Sequence, residues 1–262
     1  PTARGLRAAT LPSRLAAFAR VLGASTREGA VFRAHDEAWV ATPSSPLRGR
    51  PHDDAVAWRC FSREETAALR GVARAHDVTV NSLLLWALHR AVTPEITRGD
   101  ALWVVPMNLR GLVQQARDRA NHVAFLQVRV DAEEAPCDVH ATLARQFEAG
   151  LYWGAWTLAN LGELLGTSIV ERIARARGRA ARTTLGVFSN LGALEGDDEA
   201  AWLFAPPVSC AQPLGAGALT WNGRLALLLQ LHPSLARNRE ATGAMLARWC
   251  DAARGASRVR TP

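Results

Sequence analysis

The stretch that decides the fold is SREETAALRGVARAHDVTVNSLLLWALHRAV, residues 62–92. Ser62 is followed three residues later by Glu65, the spacing of a capping box, and this spacing predicts a helix from Arg63 to about His76. The second half, from Thr79 to Val92, carries apolar residues beyond a single helical stripe. The wide apolar arc predicts a second helix that is largely buried.

Strands are predicted on both sides of this helical pair, and the Asn222-Gly223 dipeptide predicts a tight hairpin turn between the last two. Helical periodicity predicts further helices at 12–23, Asp138–Leu151, Glu163–Arg177 and Arg237–Arg254. Apolar runs and alternation predict strands at Ala55–Phe61, Ala101–Met107, Val123–Val130, Thr183–Ser189, Ala201–Val208, Gly217–Trp221 and Arg224–Leu231. The pattern is that of the α/β class, a mixed β-sheet with helices packed against it.

Length and composition fit a chain that can bury its own core. The 262 residues include 48% hydrophobic and 21% charged residues, values that exclude a wholly disordered, collagenous or coiled-coil protein. The Pro- and Ser-rich stretch from Thr42 to Asp54 predicts a linker, which divides the chain into residues 1–54 and 55–262. The first residue is Pro and not Met, which suggests processing or a fragment of a longer protein.

The charge is basic, but its pattern does not favour nucleic acid as a partner. All 31 basic residues are Arg, and the net charge is +7. The arginines are spread along the chain apart from one run at residues 172–182, and the tryptophans do not alternate with them. Stacking platforms for single strands are therefore not indicated.

Metal sites and membrane segments are also not indicated. Four isolated cysteines form no CxxC pair, which argues against a zinc ribbon and fits a reducing cytoplasm. Seven histidines are scattered without metal-ligand spacing. No apolar run reaches the roughly 18 residues that a membrane helix needs. The chain lacks a GK[ST] phosphate loop, a GxGxxG after a strand, an HExxH motif and a GxSxG elbow.

Five segments in a fixed order carry a family resemblance. They are residues 62–92, VVPMNLRG (104–111), ANHVAFLQVRV (120–130), GVFSNLG (186–192) and ALTWNGRLALLLQLHP (218–233). Together they resemble the C-terminal half of the chloramphenicol-acetyltransferase-like superfamily, and most closely its condensation-domain-like acyltransferases, such as wax ester synthases and alcohol acetyltransferases. The resemblance covers about residues 55–254 and implies one lobe of that fold, with residues 1–54 as a remnant of the first lobe.

The resemblance implies an acyl transfer from a coenzyme A or carrier thioester to a hydroxyl or amine, without a metal or other cofactor. In the family, the first lobe supplies an HHxxxDG motif, whose second His is the general base. This sequence has no HHxxxDG and no two adjacent histidines. We therefore expect the chain to be inactive without a His-bearing lobe. His122 would be the first substitution to try if the chain alone were active.

The resemblance also implies roles for five residues. Arg110 matches the Arg that pairs with the motif's Asp across the lobes; the alternative is a surface Arg at a strand end. Ser189 and Asn190 match tunnel-lining groups that position the acyl carbonyl; the alternative is a strand-to-turn transition. Asn121 matches the Asn before the next tunnel-side strand, or simply enters that strand. Asn81 matches an Asn at a helix start and is interpreted as structural, because Ser82 replaces the family's acid.

Two functions remain open at this point. The first is the C-terminal lobe of a condensation-like acyltransferase. The second is a non-catalytic binding or scaffolding module of the same fold. A lone lobe would expose an apolar wall, so we expect association with a His-bearing N-terminal lobe or with a second copy of the chain.

Overall fold

The computed structural model describes residues 10–23, 55–96, 99–110, 112, 122–154, 156–157, 184–197, 200–209, 212–232, 235 and 239–256. Within these residues, six strands form one mixed sheet, accompanied by the α-helices given next. The helices are α1 (Leu11–Gly23), α2 (Arg63–Ala75), α3 (Val80–Val92), α4 (Pro136–Glu148) and α5 (Arg239–Gly255). The strands are β1 (Val56–Cys60), β2 (Asp100–Asn108), β3 (Val123–Asp131), β4 (Gly186–Leu194), β5 (Leu214–Trp221) and β6 (Arg224–Leu231).

The strand order is β1-β6-β5-β4-β2-β3. Strand β4 runs parallel to β2 on one side and to β5 on the other, whereas the β1–β6, β5–β6 and β2–β3 pairs are antiparallel. The β5–β6 hairpin turns at Asn222-Gly223, where both residues have positive φ angles, 46° and 80°. The predicted hairpin and the α/β class are thus confirmed.

Both helices of the deciding stretch form where the sequence predicts them. Ser62 caps α2 by accepting a hydrogen bond from Glu65 N at 3.1 Å, and the Glu65 carboxylate accepts one from Ser62 N at 2.9 Å. Thr79 caps α3 by accepting from Ser82 N at 3.1 Å. Ten of the 13 residues of α3 are buried, which confirms its predicted wide apolar arc.

The hydrophobic core lies between the sheet and the helices, on what we call the helix face of the sheet. Trp103, Trp249 and Phe188 are fully buried there. The Trp249 indole donates to Leu84 O at 2.9 Å, which fastens α5 to α3. His89 of α3 is also buried: its Nδ1 accepts from Trp103 Nε1 at 3.2 Å, so its Nε2 carries the proton and donates to Gly99 O at 2.8 Å.

Residues 201–209 lie against the opposite face of the sheet, which we call the second face. At Gly217 and Gly215 of β5, an added Cβ would lie well inside 3.0 Å of the carbonyl oxygens of Phe204 and Pro206. The prediction of a strand at Ala201–Val208 is therefore wrong. This segment, the strap, is extended but joins no strand ladder, and its last residue, Ser209, forms only an isolated bridge with Gln212.

Strand β4 extends further than the predicted Thr183–Ser189. Its pairing with β5 shifts register between Asn190 and Ala193, and Gly192 has a φ of 81°, so a β-bulge carries the strand on to Leu194. The predicted helix at Glu163–Arg177 and the linker at Thr42–Asp54 lie outside the described residues.

Helix α1 contacts the same core as the lobe that follows it. Ala17 is buried in this core, and the Arg14 guanidinium lies 4.5 Å from the ring centroid of Trp153. The domain boundary between residues 54 and 55 stays a prediction. Within the described part of the chain, no helix has the length and apolarity needed to cross a membrane.

Candidate functional site

The candidate site lies at the edge of the sheet where β2 ends, beside the bulge of β4. Strand β4 runs parallel to β2, with Gly186 opposite Trp103 and Val187 opposite Val104, so Ser189 and Asn190 in the middle of β4 lie one or two residues before the level at which β2 ends at Asn108. Strand β3 is antiparallel to β2 and begins at this edge, where Val123 pairs with Asn108. Carboxyl ends of parallel strands are a common place for ligand binding in open α/β sheets.

Ser189 is a buried residue on the second face. Its side chain is 6% exposed, and its partner in β5 is Gly217, the residue beneath the Phe204 carbonyl of the strap. The two positions share a face because paired residues point to the same side of a sheet. Ser189 therefore lies beside the strap, away from the helices.

Asn190 sits at the bulge that follows. Its side-chain oxygen, Oδ1, accepts a hydrogen bond from Gly192 N at 2.9 Å, and this bond spans the residue of the bulge between them. The side-chain oxygen thus serves the local turn, as the alternative sequence interpretation holds. The other polar atom of this side chain is the amide nitrogen, Nδ2, which can only donate a hydrogen bond to a ligand.

Arg110 is exposed in the turn after β2. Its backbone N–H donates to Asn108 Oδ1 at 3.0 Å, which fixes where the turn leaves the strand. Arg110 is thus a surface residue just beyond the end of β2. A carboxylate of another lobe that pairs with it must reach this surface.

The other two predicted residues do not add groups to this edge. Asn81 is the second residue of α3, two residues after the Thr79 cap, and is half-buried. Its neighbour Ser82 hydrogen-bonds to Thr79 Oγ1 at 2.8 Å and to His140 Nδ1 at 2.9 Å, so a hydroxyl joins α3 to α4 at this point. Asn121 lies outside the described residues.

Sequence reasoning did not single out Gln127. It pairs with Val104, which pairs in turn with Val187, two residues before Ser189, so Gln127 and Ser189 share the second face. Gln127 is 9% exposed, and among the described residues its Oε1 atom has no hydrogen-bond partner. The signal in the sequence was a neutral polar residue in the middle of a strand whose neighbouring residues, Leu126 and Val128, are apolar.

His122 faces the other way. Its carbonyl oxygen accepts from Leu109 N at 2.7 Å, and its ring meets the Trp156 ring edge-on, with centroids 6.2 Å apart. The Trp156 ring belongs to the core, so the imidazole lies on the helix face. His122 is 6% exposed, and its Nε2 has no partner among the described residues. It is therefore a buried core histidine and not a base poised on the second face.

The described residues bring together no three His, Cys, Asp or Glu side chains that could hold a metal ion. Cys60, Cys137 and Cys250 are free thiols, and Cys210 lies outside the described residues. Burial raises the pKa of the Cys250 thiol to about 11, so it is protonated at neutral pH. On this evidence the site offers hydroxyl, amide and guanidinium groups.

The solved structures that this chain resembles are condensation-type domains. The epimerization domain from the third module of tyrocidine synthetase B matches with a TM-score of 0.60 and 14% identity, over 94% of this chain and 57% of that chain. The condensation domain of the Monacolin K polyketide synthase matches with a TM-score of 0.63 and 14% identity, over 93% and 57%. A cyclization-docking bidomain of a nonribosomal peptide synthetase from Sorangium cellulosum matches with a TM-score of 0.58 and 10% identity, over 94% and 48%.

These matches show the fold: the chain has the mixed α/β architecture of part of a condensation-type domain. The chain spans about half the length of the structures it matches. No family profile and no curated protein sequence matches it. The predicted fold is confirmed, whereas the roles of Arg110, Ser189, Asn190, Asn121 and Asn81 stay predictions.

Proposed function

We propose that this chain is the second lobe of a condensation-type acyltransferase, which moves an acyl group from a coenzyme A or carrier-bound thioester to a hydroxyl or amine. The observation that carries the proposal is the match of almost the whole chain to half of several condensation-type domains. It is supported by polar residues on two neighbouring parallel strands: Arg110 follows the end of β2, and Ser189 and Asn190 lie in β4 beside its bulge. The alternative is a non-catalytic module that uses the same fold for binding.

In the proposed reaction, the acceptor oxygen or nitrogen attacks the thioester carbonyl, and the bond between carbon and sulfur breaks. A His base of the other lobe takes the acceptor's proton and returns it to the leaving thiolate. The Ser189 hydroxyl is the donor on the second face that stabilises the carbonyl oxygen as it gains negative charge, whereas Asn190 pairs with the core residue Ala218 and contributes through the bulge. The Arg110 guanidinium pairs with the Asp of the HHxxxDG motif and so fixes that motif against this lobe.

We propose the second face at this edge as the contact surface for the His-bearing lobe. Val123 and Leu191 are 44% and 43% exposed there, beside Asn108 and Ser189. Large apolar side chains at a rim of polar groups are typical of protein interfaces. A second copy of the chain is the alternative occupant.

A cytoplasmic location is also proposed. The free thiols of Cys60, Cys137 and Cys250 support it, since disulfides are rare in the cytoplasm.

The test is reconstitution in trans. The purified chain is mixed with a separately produced first lobe that carries HHxxxDG, and thiol release is followed from a panel of acyl-CoA and acyl-pantetheine donors with alcohols and amines. We expect turnover only with both lobes present. Arg110→Ala should abolish most of the turnover that the second lobe adds, because it removes the guanidinium that pairs with the Asp of the first lobe. Arg70→Ala, at an exposed position in α2, should leave this turnover unchanged.

Two results would contradict the proposal. Turnover by the chain alone, lost on His122→Ala, would show that it contains its own base. Formation of a stable complex between the lobes, without turnover of any donor, would favour the non-catalytic module instead. Sedimentation of the chain alone tests the second-copy alternative, since a monomer at all concentrations would exclude it.

A further inference from the structure

A separate cavity opens on the other side of the strap. It lies between the first turn of α2, the β5–β6 hairpin and the beginning of the strap, and its volume is about 380 Å³. Small-molecule sites commonly measure about 300–1,000 Å³. The residues that decide its chemistry are Cys60, Arg63, Trp202, Trp221, Arg224 and Ala226.

The cavity is distinct from the candidate site at the end of β2 and the bulge of β4. On β5, Gly217 pairs with Ser189 on one side and with Leu228 of β6 on the other, and the Phe204 carbonyl lies directly above it. The strap thus divides the second face. Ser189 lies on the β4 side of this division, whereas Cys60 and Ala226, which pair with each other in β1 and β6, line the cavity on the far side.

The apolar wall of the cavity is aromatic. The rings of Trp202 and Trp221 are tilted by 42° with centroids 5.5 Å apart. Gly196 lies so close to the Trp221 ring that it leaves no room for a side chain, so this indole is held in place from behind. Trp202 is 52% exposed, an unusual state for the largest apolar side chain. A flat ring that covers Trp202 would remove this surface from water.

The polar wall of the cavity is cationic. Arg63 donates from Nε to Asn222 O at 3.1 Å, which holds its guanidinium across the hairpin turn and leaves the terminal nitrogens as donors. Arg224 is the second guanidinium of the wall. Glu64 is the acid among the described lining residues, and its carboxylate hydrogen-bonds to the Ser62 hydroxyl at the start of α2. The described lining therefore carries two positive charges and one negative charge, and the carboxylate is already hydrogen-bonded.

We infer that this cavity is a binding site for a small aromatic carboxylate, with the ring against Trp202 and the carboxylate on Arg63 and Arg224. A guanidinium binds a carboxylate through paired N–H donors, and an indole face suits a flat aromatic ring. The inference is independent of acyl transfer, because it uses no residue of the candidate site at the end of β2 and the bulge of β4.

Cys60 provides the readout for a binding assay, because this partly exposed residue lines the cavity. Cys137, which is exposed on α4 outside the cavity, is the internal control. The chain is alkylated with iodoacetamide, and the modification of the two cysteines is quantified by peptide mass spectrometry as a function of 2-naphthoate concentration. We expect naphthoate to slow alkylation of Cys60 saturably and to leave Cys137 unchanged. The neutral analogue 2-naphthalenemethanol should protect about tenfold less well, since it lacks the charge-assisted hydrogen bonds.

Variants assign the effect to named groups. Arg224→Gln, at an exposed hairpin position, should raise the half-protecting concentration of naphthoate about tenfold, and Trp202→Ala should raise it as well. Arg70→Gln in α2, outside the cavity, is the matched control and should change nothing. Circular dichroism melting curves check that each variant is folded. The inference is overturned if naphthoate does not slow Cys60 alkylation, if it slows Cys60 and Cys137 equally, or if Arg224→Gln and Arg63→Gln both leave protection unchanged.

Discussion

Replacement of Gly217 by Ala tests the close packing of the strap on β5. An added methyl group at this position would lie well inside 3.0 Å of the Phe204 carbonyl oxygen, a distance that real Cβ atoms do not reach. Both the Cβ and the carbonyl belong to the backbone frame, so no side-chain rotation relieves the clash. Either the strap lifts or β5 shifts between β4 and β6. Overpacking of this kind costs about 1–3 kcal/mol, and we expect the upper end, about 3 kcal/mol.

Gly71 in α2 provides the matched control. An added Cβ there meets only the end of the Arg74 side chain, at 3.9 Å. Gly71→Ala should therefore stabilise the protein by about 0.5–1 kcal/mol, because glycine inside a helix is less favourable than alanine. Urea denaturation followed by circular dichroism gives the free energy of unfolding of both variants. The reasoning is refuted if Gly217→Ala lies within about 0.5 kcal/mol of the wild type, the range typical of surface substitutions.

Three further predictions concern buried or capping groups. Burial lowers the pKa of His89 below its ordinary value of 6.5. As the pH falls below 6.5, the unfolded chain takes up a proton on this histidine more readily than the folded protein does, so the free energy of unfolding decreases. His89→Gln should make this decrease smaller, as measured by urea denaturation from about pH 7 to pH 5. An equally steep decline in the variant would contradict this. Cys250, with its pKa raised to about 11, should stay unmodified by a maleimide at pH 7.5 while the exposed Cys137 reacts, and equal rates in the folded protein would refute the burial argument. Ser62→Ala should cost about 1 kcal/mol in the same denaturation assay, because it removes the α2 cap; an unchanged midpoint would show that the capping box is dispensable.

The parts of the fold that local chemistry determines could be predicted from the sequence. Helix α2 begins at Arg63 because the Ser62 and Glu65 side chains satisfy its first backbone groups, and all of these residues lie within one turn. The β5–β6 hairpin follows from Asn222-Gly223 for the same reason, since a two-residue turn needs positive φ at both positions. Neither feature depends on distant parts of the chain.

The strap was mistaken for a strand because its pattern is ambiguous. An extended apolar segment can pair in a sheet or lie across one, and alternation alone does not distinguish the two. The signal that distinguishes the two arrangements is in β5, where Gly215 and Gly217 have no side chains on the second face and so leave room for another backbone segment. A reader of the sequence would have to know already that these two segments meet.

The candidate site was predictable only in part, because its residues come from different strands. The resemblance identified Arg110, Ser189 and Asn190, and the parallel pairing of β2 with β4 then places Ser189 and Asn190 on the strand beside the one that Arg110 follows. Gln127 was missed, since its relevance depends on the β3–β2 register. The burial of His122 on the helix face depends likewise on its contact with Trp156, which no local pattern reveals.

The pairing of the first strand with the last has a consequence for synthesis on the ribosome. Strand β1 bonds only to β6 within the described sheet, and Val56 lies opposite Gln230. During synthesis, β1 cannot pair until β6 has emerged about 170 residues later, since a contact so distant in sequence forms late. Strand β1 is therefore unpaired in the nascent chain until then, and a chaperone that shields Ala57 and its neighbours would raise the yield of native protein.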